Sequence, residues 1–310
     1  MSVMRSVLLA AAENSWLRLR APRQAFVRRA VRRFMPGERL EDAIAAALAL
    51  QRASLATIFT HLGENVSDAA QADAVARDYL DVLDRVRAAG LDCQISIKPT
   101  HLGLDVDPDR CRANLRMLVE RAHALGNYVW VDMEQRQYVD DTLLVYRQVR
   151  SEFTNVGVCL QSYLYRTADD LAALLPLSPG IRLVKGAYRE PPEAAYPRKA
   201  DVDASFLALA TTMMSREAQR AGMNAVFGTH DARLIDAIRA RATSLGVSKA
   251  AYEFDLLFGI QRSMQLRLVS DGYRVRVLIS YGDYWFPWYM RRLAERPANV
   301  WFVARSLFTR

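Results

Sequence analysis

Beyond about residue 55, short apolar runs rich in Val, Ile and aromatic residues alternate with longer stretches of amphipathic or Ala/Leu/Arg-rich helical pattern. Runs at residues 56–62, 92–97, 128–133, 156–160, 181–184, 224–227, 251–257 and 274–279 predict eight strands. Their starts lie 23 to 43 residues apart, room each time for a strand, a turn and a helix. That is the repeating unit of a parallel sheet. Eight such units predict an α/β fold of the TIM type, a (β/α)8 barrel. A doubly wound open sheet uses the same unit, but no GxGxxG or GxxxxGK[ST] follows any of the runs. Residues 1–52 read as helices instead, and 40–54 carry an apolar stripe of strong helix formers. No linker or low-complexity tract intervenes. The predicted organisation is therefore an N-terminal helical arm, 1–52, followed by one barrel domain, 53–310.

Composition narrows the class. With 310 residues, 51% hydrophobic and 25% charged, the chain can bury a core without metal or disulfide support. Cys93, Cys111 and Cys159 are an odd number and widely spaced, so they read as reduced thiols of a cytoplasmic protein. The net charge is +8, yet seven arginines (Arg18, Arg20, Arg23, Arg28, Arg29, Arg32, Arg33) fall between Ser15 and Gly37 with no carboxylate among them. The rest is close to neutral, which argues against a nucleic-acid partner. Trp16, Leu17, Phe26, Val31 and Phe34 interleave with these arginines. Two readings of segment 15–37 stand: a peripheral contact with the inner face of a membrane, or a solvated helix capping the domain. No apolar run approaches the roughly 18–20 residues of a membrane span.

Barrel chemistry gathers at the C-terminal ends of the strands. There the predicted runs turn polar: Ser96-Ile97-Lys98-Pro99, Asp132-Met133-Glu134, Leu160-Gln161-Ser162, Arg182 to Ala187, and Gly228-Thr229-His230-Asp231. An aromatic loop then leads to Arg291-Arg292 on the last predicted helix. On a regular strand Asp132 and Glu134 face one side. Each feature has a bland alternative: a snorkelling Lys98, acids that cap the next helix or pair with barrel arginines, a core His230, a solvated arginine pair, Cys159 in the core. Together, Lys98, Arg182, Lys185, Arg291 and Arg292 predict an excess of positive charge suited to a carboxylate or phosphate. Metal-hydrolase motifs are missing, so no metal is expected. A cofactor-free hydrolase or lyase using Asp132 and Glu134, and a non-catalytic barrel that binds a partner, remain as alternatives.

These blocks resemble the monofunctional bacterial proline dehydrogenases. The resemblance rests on Ser96-Ile97-Lys98-Pro99-Thr100, Val131-Asp132-Met133-Glu134, Leu160-Gln161-Ser162-Tyr163, Arg182-Leu183-Val184-Lys185-Gly186-Ala187-Tyr188, Thr229-His230-Asp231, Glu253-Phe254, and the segment from Arg291 to Asn299. Thr60-His61-Leu62-Gly63-Glu64 adds a further block. The resemblance implies a distorted barrel with noncovalent FAD, oxidation of L-proline to 1-pyrroline-5-carboxylate, and a quinone-type electron acceptor. It implies that Lys98, Arg291 and Arg292 hold the substrate carboxylate, that Asp132 pairs with Lys98, and that Arg182 lies near the flavin N5. By the same resemblance Met133, Gln161, Lys185, Gly186, Ala187, Thr229 and His230 contact FAD, while Tyr188, Leu257 and Glu295 line or support the substrate pocket.

Three positions depart from the family pattern. Leu278 stands where a tyrosine usually packs on the substrate ring, Glu253-Phe254-Asp255 where Glu-Phe-Gln is usual, and Gln135-Arg136 where an acid and a small residue are common. A leucine is shorter than tyrosine and has no hydroxyl. The pocket floor is expected to be roomier and the substrate range broader, reaching hydroxyproline or another cyclic amino acid.

Overall fold

The computed structural model describes residues 31–295 together with Leu8, Asn14, Trp16 and Arg20; the side chains of Arg292, Ala294 and Glu295 lie outside that description. The eight strands are β1 (Ala56–His61), β2 (Cys93–Ile97), β3 (Val129–Val131), β4 (Val156–Gln161), β5 (Gly180–Val184), β6 (Asn224–Gly228), β7 (Tyr252–Leu257) and β8 (Arg274–Tyr281). Each pairs in parallel with its neighbour, and β8 pairs with β1, so the sheet closes as a barrel. The helices are α1 (Leu40–Gln51), α2 (Ala69–Ala88), α3 (Pro108–Ala124), α4 (Val139–Arg150), α5 (Thr167–Leu174), α6 (Lys199–Met213), α7 (Arg216–Arg220), α8 (Ala232–Ser244), α9 (Arg262–Ser270) and α10 (Trp285–Glu295).

Alternation along the strands sorts the two faces. Val129 and Val131, Ile181 and Leu183, Phe254 and Leu256, and Val275, Val277 and Ile279 join the helices in the main apolar core. The intervening positions point inward and form a largely polar interior. A small apolar set crosses it, in which Ile58, Trp130 and Val226 pack with Leu278. Trp130 needs space that β4 provides, because a Cβ on Gly157 would stand 2.5 Å from the indole. At the opposite end from the predicted chemistry, Arg276 joins Glu253 (3.1 Å) and Asp92 (2.7 Å), tying β8 to β7 and to the start of β2.

Helix α1 lies against β1 and β8 and buries Ala43, Ala47 and Leu50. Ahead of it, Val31, Phe34 and Met35 pack with Trp285, Phe286, Trp288 and Tyr289 of α10, and with Leu62 and Ile260. Most of segment 15–37 lies outside the described residues. Two apolar residues assigned to its membrane-facing set, Val31 and Phe34, are buried against α10. Trp16 is exposed, with the Arg20 guanidinium 5.2 Å from its ring.

Candidate active site

The centre of the barrel is organised by Arg182. Its side chain is only 3% exposed. Nη2 donates to Asp132 Oδ1 and to Ser96 Oγ, both at 2.6 Å, Nε to Cys159 Sγ at 3.0 Å, and Nη1 to Asp255 Oδ2 at 3.3 Å. The guanidinium also lies 5.1 Å from the Trp130 ring centre. One residue of β5 is thus fixed by groups from β2, β3, β4 and β7. The arrangement follows from parity, since all of these positions face inward on their strands.

This corrects the expected pairing of Asp132 with Lys98. Strand β3 ends at Val131, and Asp132 continues inward to Ser96 (2.8 Å) and Arg182. The chain leaves β2 at Lys98, and Pro99–Leu102 form a short 3-10 turn. Lys98 Nζ donates to the Gly63 carbonyl at 3.4 Å. Asp132 and Glu134 do not work as a pair either. Glu134 accepts from the Thr100 amide (2.9 Å) and hydroxyl (2.7 Å), capping the 3-10 turn after β2 and not the next helix, while Asp132 pairs with a barrel arginine as the bland alternative has it. Burial raises the Glu134 carboxyl to about 7, against the pull of Lys98 and of the Thr100 bonds. A hydrolase built on these two acids therefore lacks its constellation.

The predicted excess of positive charge is also corrected. Lys185, just beyond β5, donates to Asp203 (2.6 Å) and Asp231 (2.9 Å), and Lys199 shares both acids. Burial opposes the charge on Asp231, but its bonds to Lys199 and Lys185 outweigh that and hold its carboxyl well below the usual range. Arg291 donates through both terminal nitrogens to Glu64, at 2.9 and 3.1 Å. It also lies 5.3 Å from the Tyr188 ring centre. Lys185 and Asp231 come from strand-end motifs and Arg291 from α10, whereas helix α6 supplies Asp203 and the loop after β1 supplies Glu64.

The remaining predicted positions gather at the same mouth. Gln161 ends β4; its Nε2 donates to the Met133 carbonyl at 3.2 Å, while its Oε1 is sealed from solvent without a hydrogen-bond partner. The Thr229 hydroxyl accepts from the Asp231 amide (3.2 Å), and His230 Nε2 accepts from the Leu257 amide (2.8 Å). That bond leaves His230 Nδ1 to carry the ring proton. Gly186 and Ala187 are half-buried beyond β5. Gly186 has φ +109°, and a Cβ there would collide with the Tyr163 ring. Gly186→Ala is expected to destabilise the chain by about 1–3 kcal/mol, read as a lower midpoint in urea unfolding at unchanged slope. Leu257 ends β7 beside the α10 cluster, and Leu278 sits mid-strand inside the barrel. Arg292 and Glu295 lie on α10, with side chains outside the described residues. Ser96, Glu64 and Asp255 received no role from sequence, although all three stand in quoted motifs; the signal was their inward or rim position beside a basic partner.

Among the described residues no group of three or more His, Cys, Asp or Glu is placed to hold a metal ion, and no helix is long and apolar enough to cross a membrane.

A family model described as "Proline dehydrogenase" matches residues 43–305. The chain is 39% identical over 280 residues to the proline dehydrogenase of Deinococcus radiodurans, covering 89% of each. It is 33% identical over 276 residues to proline dehydrogenase 1 of Bacillus subtilis strain 168, covering 89% of this chain and 90% of that one. In fold it is similar to proline utilization A from Bdellovibrio bacteriovorus inactivated by N-propargylglycine, with a TM-score of 0.80 at 23% identity. That alignment covers 87% of this chain and 33% of the other, so the chain spans about a third of that protein's length.

Proposed function

The chain belongs to the proline dehydrogenase family, and from that premise we propose that it oxidises L-proline to 1-pyrroline-5-carboxylate with FAD as electron acceptor, at the C-terminal mouth of the barrel. It is a flavin-dependent oxidoreductase acting on a CH–NH donor. One observation carries the placement of the site. Arg291 reaches from α10 to Glu64 beyond β1 and to Tyr188 beyond β5, so an anion-binding fork spans the opening above Arg182.

The residues present fit a flavin. The Gln161 Oε1 is a buried acceptor in need of a donor, and an oxidised flavin ring carries one N–H donor at its polar edge. Met133, Gln161, Lys185, Gly186, Ala187, Thr229 and His230 would hold the cofactor. When bound, FAD supplies the hydride acceptor.

The protein's own groups then have three tasks. Arg291, with Arg292 and Lys98, grips the substrate carboxylate and fixes one end of a small rigid ring. Tyr188, Leu257 and Leu278 enclose the ring, and Glu295 supports the pocket. Asp132 takes the proton that the substrate ammonium must lose before C5 can release hydride. It is the more accessible carboxylate on Arg182, with a side chain 23% exposed against 5% for Asp255. Arg182 and Ser96 hold Asp132 in position. The balance closes with one proton on the carboxylate, two electrons and one proton leaving C5 as hydride, and a protonated imine as product.

Purified protein is expected to be yellow and to bleach when proline is added without oxygen. A preparation that takes up no FAD, or whose flavin no cyclic amino acid bleaches, overturns the reading.

Leu278 sets the range of substrates. A leucine is shorter than the tyrosine usual at this position, so hydroxyproline and larger cyclic amino acids should be turned over within about 10²-fold of proline in kcat/KM, a spread of roughly 2.7 kcal/mol. Leu278→Tyr should widen that ratio. Equal ratios in both forms would remove Leu278 as the determinant.

The electrons pass on to a quinone-type carrier, with the enzyme cytoplasmic and resting on the inner membrane face through segment 15–37. The basic composition of that segment supports this reading. Co-sedimentation with anionic liposomes should fall when its arginines are neutralised.

A further inference from the structure

Asp255 has no part in the reaction as proposed, yet its surroundings single it out. It faces into the barrel from β7 and is 6% exposed. Its Oδ2 accepts from Arg182, while Oδ1 is sealed from solvent and has no hydrogen-bond partner. Glu253, two residues earlier on the same inner face, adds a second negative charge, which Arg276 of β8 partly offsets. Across the barrel, Arg182 is shared with Asp132, just beyond β3, and bonded to Cys159 of β4. A single guanidinium therefore serves two carboxylates. With both ionised the trio carries one net negative charge, and burial makes that costly at Asp255, the enclosed end of it. The family pattern usually has glutamine here, a side chain that takes no proton.

We propose that Asp255 is a positioning residue that tunes the electron affinity of the bound flavin through Arg182, taking up one proton from solvent as the flavin is reduced. The proposal rests on the assignment of FAD to this mouth. Hydride transfer moves two electrons and one proton from substrate C5 and brings one negative charge into the barrel. That charge and the Asp255 carboxylate compete for the same guanidinium. An O–H bond formed at Oδ1, with its proton drawn from solvent, relieves the competition, and no other bond changes.

The pH dependence has a definite sign. Burial first, then the Glu253 charge, raises the Asp255 carboxyl to about 7, against Arg182 and Arg276. In the oxidised enzyme the group is neutral below that pH and ionised above it. Reduction raises it further, so the extra proton is taken up in a window that opens near pH 7 and extends upward.

The test is the reduction equilibrium of the FAD-loaded enzyme, followed by absorbance against redox dyes between pH 5.5 and 9.5, for wild type, Asp255→Asn and Asp255→Gln. Above pH 7 the wild-type constant should change by one more factor of ten per pH unit than either variant, about 30 mV for a two-electron couple. The variants should be at least tenfold easier to reduce near pH 9, and indistinguishable from wild type below pH 6. Should the variants fail to fold, proton counting with an indicator dye in weakly buffered wild type decides the matter. Uptake per flavin should be larger at pH 8 than at pH 6, whereas flat or falling uptake overturns the proposal. A yellow enzyme that bleaches with proline but shows parallel pH slopes in all three forms defeats the Asp255 role alone; an enzyme that takes up no FAD defeats the proposed function instead.

Discussion

Arg182→Gln is expected to slow proline-dependent flavin reduction about 10²–10³-fold, equivalent to roughly 2.7–4 kcal/mol, and to lower stability by about 3–5 kcal/mol. Both effects follow from its bonding. A guanidinium has five N–H donors, and four contacts, to Asp132, Ser96, Cys159 and Asp255, hold it at fixed orientation over Trp130. Glutamine offers two donors and no charge. It leaves the buried Asp255 and the partly exposed Asp132 without their guanidinium, and such uncompensated groups dominate the cost of breaking a buried ion pair. The loss of rate has a different origin. The charge that arrives with hydride loses a preorganised partner, and Asp132 loses the group that positions it. Arg182→Lys should separate the effects: it keeps the charge but not the fork, so stability should recover more than rate does. Stopped-flow reduction and urea unfolding at pH 7 read the two quantities, and the flavin-to-protein absorbance ratio shows that both samples are loaded. A folded, flavin-loaded Arg182→Gln enzyme within tenfold of wild type would place Arg182 outside the chemistry.

That hub shows what a one-dimensional reading can and cannot reach. All eight strands were legible because each carries apolar residues on its outer face, which packs against helices, and several inner ones are apolar too; β4 is buried along its whole length. The ends were less legible. The run at 128–133 predicts a strand through Met133, but β3 stops at Val131 because Asp132 turns to Ser96 and Glu134 to Thr100. The mouth residues could be named from the strand ends, but their partners could not. Closure of the barrel brings Arg182 to Asp132, 50 positions earlier, and to Asp255, 73 positions later. Counting charges at strand ends also leaves out acids contributed by other elements. Asp203 comes from the second turn of α6 and Glu64 from the loop after β1, and they pair with Lys185 and Arg291, two of the five cations that gave the mouth its apparent positive excess. Asp255 was legible only as a departure from a pattern, and its meaning needed the neighbour across the barrel.

Arg291→Ala is expected to raise the KM for proline about 10²–10³-fold, with a smaller change in kcat, because the lost contact grips substrate and transition state alike. The same change should destabilise the protein, since Glu64 is left in a buried position without its cation. In the ion pair both side chains are nearly enclosed, 12% and 11% exposed, and the pair is bidentate. Desolvation alone would raise the Glu64 carboxyl, but Arg291 and Lys98 more than reverse that and hold it below the usual range. Removing Arg291 reverses the balance, and folding is then expected to take up a proton at Glu64. Stability of Arg291→Ala should accordingly fall as pH rises above the ordinary carboxylate range, where wild type keeps the benefit of the pair. A double variant separates the two roles. Glu64→Gln added to Arg291→Ala removes the stranded charge, so most of the stability should return while KM stays high. Glu64→Gln alone leaves the guanidinium in place with a neutral acceptor, and KM should move by less than tenfold. If the double variant regained proline affinity together with stability, the affinity loss in Arg291→Ala would be a folding defect, and the carboxylate grip would have to be sought elsewhere in the barrel mouth. If KM stays high in a well-folded double variant, the grip belongs to Arg291, and Glu64 serves to hold its fork across the opening.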